Sequence, residues 1–91
     1  MSDRNLPGRD LVERGIADLE LGLETVEALL VSIGAPRLKH AGVDVPSGTF
    51  ASPEHRLYEL LASDSADSAH SRYNALIRRL VSYERALECV S

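Results

Sequence analysis

The strongest constraint on this chain lies in residues 10–33, DLVERGIADLELGLETVEALLVSI. Val12, Ile16, Leu19, Leu23, Val26, Leu30 and Ile33 follow one another at intervals of 4, 3, 4, 3, 4 and 3. This heptad spacing keeps apolar side chains on one stripe of a helix facing a partner, and strand alternation does not fit it. The same rhythm returns near the end, where Ala69, Tyr73, Leu76, Leu80, Tyr83, Leu87 and Val90 repeat the 4, 3 pattern. Each seam spans roughly 36 Å at about 1.5 Å per residue.

Punctuation divides the rest. Gly34 reads as a C-cap for the first helix and Pro36 as a block to its continuation. Residues 34–51, GAPRLKHAGVDVPSGTFA, read as a long connection rich in Gly and Pro. Within it, PRLKHA has the makings of a short helical turn stopped by Gly42. Ser52 and Pro53 then open a short helix as N-cap and first helical residue. The polar run SDSADS, residues 63–68, ends that helix and starts the next. The expectation is an all-α, small three-helix bundle, a single helical domain over residues 1–91, with two long heptad-patterned helices and one short helix. Their spans are about 9–33, 52–63 and 67–89. The core is expected to hold Ile16, Leu19, Leu23, Val26, Leu30, Leu57, Leu60, Leu61, Leu76, Leu80 and Leu87.

Gly15 and Gly22 stand seven apart inside the first helix and share a flank of its seam. Each costs roughly 1 kcal/mol of helix propensity relative to alanine. They read as a groove where another helix comes close, as tolerated imperfection, or as a break near Gly22 that yields two shorter helices.

Charge is distributed unevenly. The 91 residues carry a formal charge of −4, yet residues 10–33 hold six acids and one base, and residues 68–91 hold four bases and two acids. Glu13, Glu20 and Glu27 recur every seven residues on the outer side of the first helix. On a helical wheel, Arg78 and Arg85 lie opposite the seam of the last helix, near Ser71 and Ser82, and Arg72 and Arg79 form a second row. An acidic and a basic helix of matched rhythm are natural partners, within one chain or between two, because flanking charges choose partner and orientation. Glu84 is the one charged residue near the core side of the last helix. It either reaches water at the seam's edge or pairs with a buried arginine.

These seven charged residues, Glu13, Glu20, Glu27, Arg72, Arg78, Arg79 and Arg85, are the candidate interaction residues. The expected function is a small protein-interaction or dimerisation module without catalytic activity. Its partners are a second copy of itself, in a homodimer closed through the seams, and another protein. The alternative is a small regulatory protein contacting nucleic acid through Arg72, Arg78, Arg79 and Arg85. An acidic pI near 5.2 and a serine-rich link in place of a tight helix-turn-helix corner weigh against it.

A metal-binding or enzymatic bundle is the third and weakest reading. No Glu-x-x-His pair of the kind that builds carboxylate-bridged metal sites in bundles occurs. His40, His55 and His70 are scattered, and Cys89, the single cysteine, excludes an internal disulfide framework. No catalytic residue, metal ligand or cofactor is assigned. The polar start MSDRNLPGRD shows no secretory signal, and no apolar run is long enough for a membrane span, so a cytoplasmic location is expected.

Overall fold

The first seam does not run through one helix. The computed structural model describes residues 6–90, with the side chain of Val90 excepted. Among these it contains four α-helices and no strand: α1 (Arg9–Glu20), α2 (Val26–His40), α3 (Pro53–Asp64) and α4 (Ala69–Val90). The expected three-helix bundle is therefore corrected to four helices, because the helix expected over 9–33 is broken and re-formed. The polar start at residues 1–5, Ser91 and the last seam side chain, Val90, lie outside the described residues.

Gly22 makes the break. It sits at φ +73°, a left-handed conformation that glycine adopts without side-chain strain. Gly22 N–H donates to the Leu19 carbonyl at 3.0 Å, and Leu23 N–H donates to the Asp18 carbonyl at 2.9 Å. This is the paired bonding of a Schellman terminus, which satisfies the carbonyls that a helix end leaves open. Thr25 restarts the helix, its hydroxyl accepting from Ala28 N–H at 3.1 Å and donating to Asp18 Oδ2 at 2.6 Å. One side chain thus caps α2 and ties it to the end of α1.

Continuous heptad spacing survives because the two halves of the seam face each other across a hairpin. The crossing is close at Gly15, where a Cβ would collide with the Glu27 carbonyl oxygen and with Val31. The two glycines therefore have different roles: Gly15 admits a neighbouring helix and Gly22 turns the chain.

The second correction concerns α2, which passes through Gly34 and Pro36 to His40. Ala28, Leu29, Leu30, Val31, Ser32, Gly34, Ala35 and Leu38 are all buried. A helix apolar on every side is a central one, and α2 packs against each of the other three. Leu29, Leu30 and Leu38 alone contribute about 1.5–3 kcal/mol each by leaving water. That burial outweighs the helix-breaking tendency of Pro36, whose exposed side chain leaves the packing undisturbed. The stop comes instead at Gly42 (φ +96°), in a second Schellman terminus closed by Val43 N–H to the Leu38 carbonyl at 2.9 Å.

The connection is consequently shorter than 34–51. Buried Ser32 holds it: its hydroxyl donates to the Ala28 carbonyl at 2.9 Å and accepts from Phe50 N–H at 3.2 Å. Ser52 begins α3, but at φ 49° and without a side-chain capping bond. Its carbonyl accepts from Arg56 N–H at 3.1 Å, with Pro53 at the first helical position.

Leu19, Leu30, Leu57, Leu61, Leu80 and Leu87 are buried as expected of core positions. Ile16, Val26 and Leu76 are only half-buried. Leu23 and Leu60, expected in the core, are 48% and 37% exposed, the first because it belongs to the turn and the second because it flanks the inward face of α3. The Cα radius of gyration is 12.8 Å, near the roughly 12 Å of a compact domain of this length. Most of both seams is thus covered within one chain.

Candidate functional site

The candidate residues fall into separate groups. Glu13 and Glu20 lie on the exposed face of α1. Glu13 accepts from Arg9 Nε at 2.7 Å, whereas Glu20 forms no ion pair among the described residues. Glu27 does not continue their row: the turn at Gly22 moves it onto α2, where it is half-buried and its carbonyl covers Gly15.

The four arginines of α4 divide into two pairs. Arg72 Nη1 meets Asp64 Oδ2 at 2.8 Å, bracing α3 against α4. Arg79 Nη2 lies 3.6 Å from Asp10 Oδ1, linking α4 to the start of α1. That link sits where Gly8, at φ +80°, lets the chain pass over α4, with a Cβ there only 2.6 Å from the Arg79 carbonyl oxygen. Arg78 and Arg85 project from the exposed side of α4. Arg78 has no ion-pair partner among the described residues, and the charge of Arg85 acts on nearby Glu88. Among the described residues, therefore, no ion pair joins Glu13 or Glu20 of α1 to Arg78 or Arg85.

A charged cluster between α2 and α4 is absent from the sequence-based candidates. Glu84 is 4% exposed, its Oε1 3.6 Å from Arg37 Nη1. Arg37 also grips Glu88 with two bonds, Nε to Oε2 at 2.9 Å and Nη2 to Oε1 at 3.0 Å. Burial pushes the Glu84 carboxyl above its usual range, against the pull of Arg37, while the hydrogen bond from Arg37 holds Glu88 below it. Glu84 is thus buried, although its arginine is partly exposed. Placing Arg37 in a loop hid the cluster; reading α2 through to His40 puts Arg37 on a helix beside α4.

At the other end of the molecule Arg56 of α3 binds Glu24 with both Nε (2.6 Å) and Nη2, fastening the α1–α2 turn to α3. Beside it, Glu24, Leu29, Arg56, Glu59, Leu60 and Ser63 line a shallow depression. Leu21 and Leu23 flank Gly22 at the tip of the hairpin, 73% and 48% exposed. In the Schellman terminus of α2 the residue after glycine, Val43, packs on the core. In that of α1 the helical position expected to receive Leu23 is Asp18, which offers no apolar surface.

The titratable groups that would serve chemistry are apart. His55 lies 3.2 Å from Glu59 on the surface of α3, His70 lies 3.2 Å from Asn74 on α4, and Cys89 is exposed. Among the described residues no group of three or more His, Cys, Asp or Glu could hold a metal ion, and no helix is long and apolar enough to cross a membrane. Comparison with known protein families, curated proteins and solved structures finds no match to the chain.

Proposed function

We propose that this chain is a small helical protein-interaction module that forms a homodimer and presents its surface to a further protein. The observation that carries the reading is the exposure of Leu21 and Leu23 together at the tip of the α1–α2 hairpin. Two bulky apolar side chains held outward by a well-bonded turn favour a partner surface. The turn is held by the Schellman bonds and the Thr25–Asp18 link, which reduces the ordering entropy that docking there costs. Most seam residues are covered inside the monomer, so the outward leucines, rather than the seams, favour self-association.

Nucleic-acid binding through α4 has weaker support. Two of its four arginines already face carboxylates at Asp64 and Asp10, and the chain is acidic overall. The test of the main reading is the mass of the intact chain, measured by light scattering during size-exclusion chromatography at micromolar concentration and low salt. Twice the 9.9 kDa chain mass supports it. A sharp peak at the monomer mass across the concentration range argues against self-association.

A further inference from the structure

The outward face of α1 and the outward face of α4 carry the same geometric pattern with opposite charge. On α1, Glu13, Ala17 and Glu20 stand at i, i+4 and i+7. On α4, Arg78, Ser82 and Arg85 stand at i, i+4 and i+7. All six are exposed. This spacing places the three residues of each set in one row, with the end charges about 10.5 Å apart along the axis. Each row has a small residue at its centre, the composition that lets two helices approach closely. Each has like charges at both ends, so the rows match whichever way the helices run.

The charges are available. Neither Glu20 nor Arg78 has an ion pair among the described residues. Among the described residues Glu13 is engaged by Arg9 alone, in a surface pair four residues apart, which is weak and exchangeable. Among the described residues no ion pair joins the two rows within one chain; α4 meets the start of α1 through Arg79 instead, at Gly8 and Asp10. We propose that a second copy of this chain supplies the match: Glu13–Ala17–Glu20 of each copy lies along Arg78–Ser82–Arg85 of the other. The arrangement is a two-fold, self-complementary interface in which the same contact occurs twice. Leu21, one turn beyond Ala17 on the same side of α1, adds an apolar contact at the end of the row. The inference rests on the homodimer reading and gives it a definite surface.

The experiment uses two doubly charge-reversed full-length variants, Glu13→Arg/Glu20→Arg and Arg78→Glu/Arg85→Glu, each checked for wild-type helicity by circular dichroism. Alone, each variant presents like charges to itself. Its self-association measured by sedimentation equilibrium weakens by roughly 30-fold or more, the scale of losing central interface contacts. Mixed in equal amounts, the two restore both contacts in a heterodimer and regain association close to that of the wild type. A dimeric wild type whose charge-reversed variants still dimerise, or whose variants fail to associate when mixed, overturns this interface while leaving the homodimer reading in place. A monomeric wild type overturns both.

Discussion

Gly15 of α1 lies against the carbonyl oxygen of Glu27 in α2, so near that no side chain fits between the two helices. The obstruction is backbone, which cannot rotate aside as a side chain can. Gly15→Ala therefore forces the hairpin apart. Overpacking of this kind costs about 1–3 kcal/mol, and it outweighs the roughly 1 kcal/mol that alanine gains in helix propensity. A urea melt of Gly15→Ala is expected to show a net loss of stability, whereas an unchanged or raised midpoint would show that the crossing has slack.

Leucines of one seam are expected to differ sharply. Leu30 is fully buried and Leu23 is half out of the protein. Leu30→Ala should cost about 2–5 kcal/mol through lost burial and the cavity left behind. Leu23→Ala should stay within about 0.5 kcal/mol, as surface substitutions do. Denaturant melts at concentrations too low for self-association read both values directly.

That contrast marks where the sequence could be read and where it could not. Spacing of 4 and 3 reports which residues share a face, and it identifies helices. It does not report whether the helix is continuous, because a hairpin folded along its own seam keeps the same spacing. The signals for the turn were local: Gly22 followed by an apolar residue, then Thr25 ahead of an apolar run. Pro36 misled in the opposite direction. Its cost is local, but the burial of Ala35 and Leu38 on either side is a tertiary gain that no local rule contains. Of the candidate surface, the rows Glu13–Glu20 and Arg78–Arg85 were legible because solvent-facing positions follow directly from helical periodicity. The Arg37–Glu84–Glu88 cluster was not, because it depends on α2 passing through Pro36.

Pro36 itself yields a test. It lies inside α2 with its side chain exposed, and it lacks the N–H that would donate to the carbonyl four residues earlier. Pro36→Ala restores that donor and removes the ring, so it should raise stability by about 1–2 kcal/mol, part of the roughly 3 kcal/mol helix penalty being offset by the freer unfolded chain. Loss of stability in a thermal melt would mean that α2 needs a bend there.

Glu84 sets a pH dependence of definite sign. Burial raises its carboxyl above the usual range. The folded state therefore binds the extra proton more readily, and this group's contribution is present below the unfolded value and lost as pH rises through the raised one. Glu24 and Glu88 act oppositely, held low by hydrogen bonds from Arg56 and Arg37. Their contributions are present above the ordinary carboxylate range and are lost as pH falls through their lowered values. Glu84→Gln removes only the first effect. Its melting temperature should exceed that of the wild type at neutral pH, and the difference should vanish in acid, where Glu84 is already neutral. A variant less stable than the wild type at neutral pH would show that attraction to Arg37 exceeds the cost of burial.

The pairing of the α1 and α4 rows between copies is tested most directly by a disulfide trap. Ala17 and Ser82 are the central residues of their rows, so they oppose each other whichever way the helices run. In a Cys89→Ser background, one preparation carries Ala17→Cys and another Ser82→Cys. The two are mixed under mild oxidation and resolved on a non-reducing gel. A disulfide needs Cα atoms within about 7 Å, which makes the readout a distance measurement. A covalent dimer is expected to form rapidly in the mixture and much more slowly in either preparation alone. Equal yields in all three samples, or no covalent dimer in the mixture, would contradict it.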